Sequence, residues 1–144
     1  MNAVTIRMLI GVILMLAACG AALRMGSSSQ KQTAVLIFLC YLAAGIASVH
    51  SKHRIEPLIG GDIAYGFGIL WLAWRYHERW LWIAVAVQAV FFSLHVWLYE
   101  MDALPTTAYI IINNVLGAIT LLVLVVAAFA TARKRRACGI EAPP

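Results

Sequence analysis

Apolar residues run through this chain in long, nearly unbroken stretches divided by short polar connections. Five stretches predict five helices: about Val4 to Leu23, Thr33 to Val49, Leu58 to Trp74, Trp80 to Tyr99, and Ala108 to Thr131. A helix crosses the ~30 Å hydrocarbon core of a bilayer with ~20 apolar residues, in a range of ~17–25, and each stretch falls in that range. The third is short and the richest in glycine. The connections are compact. Gly26-Ser27-Ser28-Ser29 with Gln30 and Lys31 reads as a turn-forming polar linker. Ser51 to Pro57 carries Lys52, His53, Arg54 and Glu56, and Glu100 to Thr107 carries Asp102 and Pro105 without a cation. Arg75 to Arg79 is so brief that the third and fourth helices must form an antiparallel hairpin. The predicted fold is all-α, a polytopic transmembrane bundle of about five helices. It forms a single domain over residues 1–136, with residues 137–144 as a frayed tail.

Composition supports the same class. Hydrophobic residues make up 63% of the chain and charged residues 12%, against about 25% charged in an ordinary soluble domain. The net charge of +5 does not point to nucleic acid, because no aromatic interleaving or presenting fold accompanies it. Four of the cations, Arg133, Lys134, Arg135 and Arg136, form one run after the last apolar stretch, where they read as a topology and anionic-lipid anchor. With the N-terminus outside, Arg24, Lys31, Arg75, Arg79 and this run fall inside, eight against the three of Arg7, Lys52 and Arg54. That bias predicts a bacterial inner-membrane protein with a periplasmic N-terminus and a cytoplasmic C-terminus. A competing signal is Leu16-Ala17-Ala18-Cys19, which reads like a lipoprotein cleavage site. Cleavage there would leave four helices and reverse the charge count, while the apolar run continuing to Leu23 reads as a retained helix. The cysteines, Cys19, Cys40 and Cys138, are odd in number and lack a C-x-x-C pair, so neither a zinc site nor a disulfide framework is indicated.

Ionisable residues inside apolar spans are costly and mark a function or a specific partner. Asp62 in the third helix and His95 in the fourth are the two that stand out. Gln88 lies seven residues before His95 on the same helical face, with Ala84 and Tyr99 extending the stripe. The fifth helix adds Asn113 and Asn114. Under the predicted topology Asp62, His95 and Asn113 lie at one depth, roughly 6–8 Å below the outer helix ends. One reading makes this layer a small site, with His95 as proton carrier or metal ligand and Asp62 as its charge partner. The other makes it interhelical glue, each hydrogen bond contributing about 0.6–2 kcal/mol. No metal or cofactor is expected: His50 and His53 lack a third ligand at a diagnostic spacing, and haem would need histidine pairs at matching depth. Gly60, Ala64 and Gly68 form a small-residue stripe for close helix packing. No nucleophile–base pair, H-E-x-x-H element or phosphate-cradling loop occurs, so no enzyme is predicted.

The stretch from Arg79 to His95, with Trp80, Gln88 and His95 in that register, resembles small uncharacterised polytopic inner-membrane proteins of alphaproteobacteria. The likeness covers the third to fifth helices, about half the chain. Trp82 sits one position from where that group has its second tryptophan, and the group's usual proline between them is absent. The resemblance implies a bacterial inner membrane and supplies no activity. Three function classes follow from the residues. The first is a non-catalytic membrane protein acting by contact, as an accessory subunit or homo-oligomer. The second is a small transporter or channel using the polar layer, though inverted repeats and polar residues in the inner half of the spans are missing. The third is a holin-like protein, which the small size and basic tail fit, although five spans are more than that class usually has.

Overall fold

The computed structural model describes residues 3–50, 56–101 and 107–138, and these are helical apart from short turns. The five helices are α1 (Ala3–Met25), α2 (Ser28–His50), α3 (Glu56–Tyr76), α4 (Arg79–Glu100) and α5 (Thr107–Ala137). Each packs on its neighbour in sequence, and α5 returns to α1, closing a ring in which α2 also touches α5. Lys52, His53, Arg54 and Asp102, and the side chains of Arg7, His50 and Glu56, lie outside the described set.

Two tight turns set the antiparallel order. At the end of α3, His77 adopts a left-handed backbone with φ 52, a conformation in which histidine is enriched. Its N–H donates to the Ala73 carbonyl at 3.0 Å, the single bond that closes a helix in this manner. Glu78 is extended (φ −83, ψ 132), and the Leu81 N–H returns to its carbonyl at 3.1 Å. Two residues therefore suffice to reverse the chain into α4. Between α1 and α2, the Gly26 N–H donates to the Ala22 carbonyl at 2.8 Å, and the Ser27 N–H donates to Gln30 Oε1 at 2.7 Å. The second bond is half of a capping box, the side chain at the third helical position reaching back to the cap.

That cap corrects one boundary. The segment expected as a linker with α2 starting at Thr33 is already helical from Ser28, because Gln30 satisfies the donor that would otherwise need water. The fifth helix continues past Thr131 to Ala137, so Arg133, Lys134, Arg135 and Arg136 occupy its last two turns rather than a tail. Cations there complement the exposed carbonyls of the helix end. Arg24 and Arg75 close α1 and α3 in the same way.

The interior has two apolar centres. Met15, Cys19 and Ala22 of α1 meet Ala34 of α2 and Leu124 and Ala128 of α5. Tyr65, Ile69, Leu72 and Ala73 of α3 meet Leu81 and Ala84 of α4. Alanine recurs in both, which lets backbones come close. Of the stripe Gly60, Ala64 and Gly68, only Gly68 abuts another helix. A Cβ there would fall 2.5 Å from Leu36 Cδ2 of α2, whereas Gly60 has nothing within 4 Å among the described residues and Ala64 is exposed. The physical reason is helical rotation: Tyr65, Ile69 and Leu72 point inward, which turns Gly60 and Ala64 outward.

The outside of the bundle is apolar. Leu9, Ile13, Leu42, Phe67, Leu122 and Phe129 are exposed, Phe67 to 72%. Among the described residues two helical stretches, Arg79–Glu100 and Ile111–Ala137, are long and apolar enough to cross a membrane, and only 28% and 11% of their most apolar portions are buried in the bundle. The buried set, by contrast, includes Ser29, Gln30, Thr33, Gln88 and His95.

Candidate functional site

Polar side chains gather in two layers, one toward each end of the bundle. The first joins α3 to α4. Asp62 projects from the second turn of α3, half-buried. From the buried face of α4, which carries Leu81, Ala84, Gln88, His95 and Leu98, two side chains reach it. Gln88 Nε2 donates to Asp62 Oδ1 at 2.9 Å, with a second, longer contact to the Asp62 carbonyl at 3.3 Å. His95 Nδ1 bonds to the other carboxylate oxygen, Oδ2. The seven-residue spacing of Gln88 and His95 is two helical turns, so both meet one carboxylate from the same face. Tyr99, expected to extend this face, is exposed, and Leu98 takes the inward position.

The layer extends toward α5. The Phe91 ring lies against the His95 imidazole, centroids 5.9 Å apart at an interplanar angle of 26°. On its other side Phe91 approaches α5 at Gly117, where a Cβ would lie 3.9 Å from the ring. One turn back on α5 from Gly117 is Asn113, and one turn on from Phe91 is His95, so the antiparallel register sets Asn113 at the depth of His95. The Asn113 Oδ1 atom is buried and accepts no hydrogen bond among the described residues. Asn114 is exposed and takes no part. Asp62, Gln88 and His95 are thus brought together, with Asn113 alongside.

Sequence reasoning missed the second layer entirely. At the opposite end, the Ser29 hydroxyl donates to Glu78 Oε2 at 2.9 Å, and Trp80 Nε1 donates to the same oxygen. Gln30 Nε2 donates to Thr131 Oγ1 at 3.0 Å, tying α2 to α5, and Arg135 Nη2 donates to the Gly26 carbonyl at 3.3 Å. The Ser28 hydroxyl lies 3.3 Å from Tyr76 Oη. That bond, with the Arg75 guanidinium beside it, holds the Tyr76 phenol below its usual pKa. Ser29, Gln30 and Thr33 recur at helical spacing ahead of Ile37 and Cys40, a pattern that continues the inward face of α2 through residues read as a linker. The basic residues Arg24, Lys31, Arg75, Arg79 and the Arg133–Arg136 run all lie at this end.

Chemically, the first layer offers one carboxylate and one imidazole joined by a hydrogen bond along which a proton can pass, buried among apolar side chains. Both carboxylate oxygens are engaged, which fastens α3 to α4. No group of three His, Cys, Asp or Glu side chains gathers to hold a metal among the described residues. The class defined by fold and site is an all-helical, five-helix chain with an apolar exterior and a hydrogen-bonded polar layer toward each end. No family model, curated protein or solved structure matches the chain.

Proposed function

We propose that this protein is a five-span integral membrane protein of the bacterial inner membrane that acts by contact, as a non-catalytic accessory or interaction subunit. The observation carrying this reading is the apolar exterior. Large apolar side chains face outward around the bundle as well as filling its two centres, while Ser29, Gln30, Thr33, Gln88 and His95 are buried. Water-soluble monomers rarely expose contiguous apolar surface beyond a few hundred Å², and in a bilayer the preference reverses. The hydroxyls of Ser93 and Thr120 fit the same solvent: each donates to the carbonyl four residues earlier, at 2.8 and 3.1 Å, the local solution for a hydroxyl in an apolar span. With α1 retained as a span, which the burial of Met15 in the centre shared with α2 and α5 favours, the basic end faces the cytoplasm and the Asp62 layer the periplasm.

A second reading, a small proton-coupled transporter, draws on the Asp62–His95 pair itself. Against it, below the buried Tyr65 hydroxyl the α3–α4 interior is Ile69, Leu72, Leu81 and Ala84, which offers an ion no partner over the rest of the way to the second layer. Extraction in mild detergent, followed by reconstitution in liposomes holding a pH-sensitive dye, separates the two. Contact function predicts a stoichiometric protein partner in the extract and no proton flux. Flux that disappears in Asp62→Asn would establish transport instead.

A further inference from the structure

We infer that the groove between α2 and α3 at the basic end is a binding site for one anionic phospholipid, with an acyl chain in the groove and the phosphate on Lys31 and Arg75. The site rests on the membrane reading given above and adds a specific lipid ligand to it. Val35, Leu36 and Leu39 form one wall, and Gly68, Trp71 and Leu72 the other, with Lys31 at the mouth. Below Lys31 the apolar wall from Val35 to Leu39 extends about 6 Å along α2 at ~1.5 Å per residue. It seats the upper part of a single chain entering from the basic end, within the ~15 Å of one leaflet's hydrocarbon.

The mouth has the charge and the aromatic edge that a lipid headgroup needs. Trp71 lines both this groove and an adjoining hollow formed with Trp74, Arg75 and His77. The Arg75 guanidinium lies 5.5 Å above the Trp71 ring and 5.9 Å from that of Tyr76, which orients its N–H groups without neutralising the charge. Lys31 and Arg75 form no ion pair with a carboxylate among the described residues. Among the described residues the one acid near this end, Glu78, turns its carboxylate to Ser29 and Trp80. Two cations without a carboxylate partner there thus flank an apolar slot ending at a tryptophan, the complement of a phosphodiester above an acyl chain. Gly68 and Leu36 are in such close contact that the floor admits a chain rather than a helix.

Native mass spectrometry of the full-length protein in detergent, titrated with phosphatidylglycerol or with phosphatidylcholine of the same acyl chains, tests this. The first phosphatidylglycerol is expected to bind more tightly, by about fivefold for each cation and about twenty-five-fold for the two. Lys31→Gln with Arg75→Gln, both on exposed side chains, removes that preference. Leu39→Trp, which fills the slot, weakens the first site for both lipids. Neutralising Arg133, Lys134, Arg135 and Arg136 to glutamine leaves the preference in place. Equal affinity for the two lipids, or an undiminished preference in the Lys31/Arg75 variant, overturns the site, as does a lipid-insensitive dimer mass, which would seat a second copy there. A chain that is monodisperse in buffer without detergent would overturn the membrane reading itself, a separately visible result.

Discussion

Replacing Asp62 by alanine is expected to lower the stability of the purified protein in detergent by about 2–4 kcal/mol, the largest effect of any single side-chain truncation in the layer that joins α3 to α4. The magnitude follows from what the carboxylate holds. Gln88 and His95 both end on it, from a different helix, and both are buried, to 6% and 3% exposure. Truncation leaves two buried polar groups without that partner, and the cost of stranding such groups exceeds the net gain of the bonds themselves. Asp62→Asn keeps the shape and an acceptor oxygen and is expected to lose about half as much. Asp62→Ala combined with His95→Ala should cost less than the sum of the two, because both remove one interaction. Thermal unfolding of the unmutated protein, the three single variants and the double variant in one detergent checks this. A change within about 0.5 kcal/mol for Asp62→Ala, the range of ordinary surface substitutions, would show that the layer does not hold α3 to α4.

The second large effect lies at the other end. Gly26→Ala is expected to destabilise by about 1–3 kcal/mol through overpacking, and by up to about 1 kcal/mol more through loss of the helix cap. A Cβ at residue 26 would fall 2.3 Å from the Ala22 carbonyl oxygen and 2.8 Å from Gln30 Cβ. Neither atom is the free end of a flexible side chain, so the turn itself must move. Movement there disturbs the Ser27–Gln30 cap, the Gln30–Thr131 bond and the Arg135 contact together. Gly60→Ala supplies the contrast within one protein. Its Cβ meets nothing within 4 Å among the described residues, so the helical preference for alanine over glycine, about 0.5–1 kcal/mol, should appear as a gain in unfolding temperature. Equal behaviour of the two variants would show that the α1–α2 turn is not closed as described.

Much of this architecture is visible in the chain itself, for identifiable reasons. Apolar runs of helical length leave few alternatives, and the five helices lie where those runs do. Asp62 and His95 were conspicuous because an acid and an imidazole in apolar surroundings require partners, and the two-turn spacing from Gln88 to His95 set both on one face. The α2 start was hidden because hydropathy counts Ser28, Ser29 and Gln30 as loop. Their capping pattern, serine at 27 and glutamine three residues later, was the readable signal and outweighs polarity. The small-residue stripe misled in the opposite direction: four-residue spacing identifies a face but not which way that face turns. Glu78 and Ser29 lie 49 positions apart, and nothing local links them. Only the closing of α2 against the α3–α4 turn brings them together.

The same turn geometry fixes which helix ends share a side, and the basic residues give that side its sign. Paired reporter fusions, alkaline phosphatase and a cytoplasm-active fluorescent protein, placed after Cys138 and within residues 102–106, test the membrane topology directly. A bilayer-embedded five-span chain with its basic end inward predicts fluorescence without phosphatase activity after Cys138, and phosphatase activity without fluorescence at residues 102–106. Phosphatase activity after Cys138, or both fusions reporting the same compartment, would contradict it.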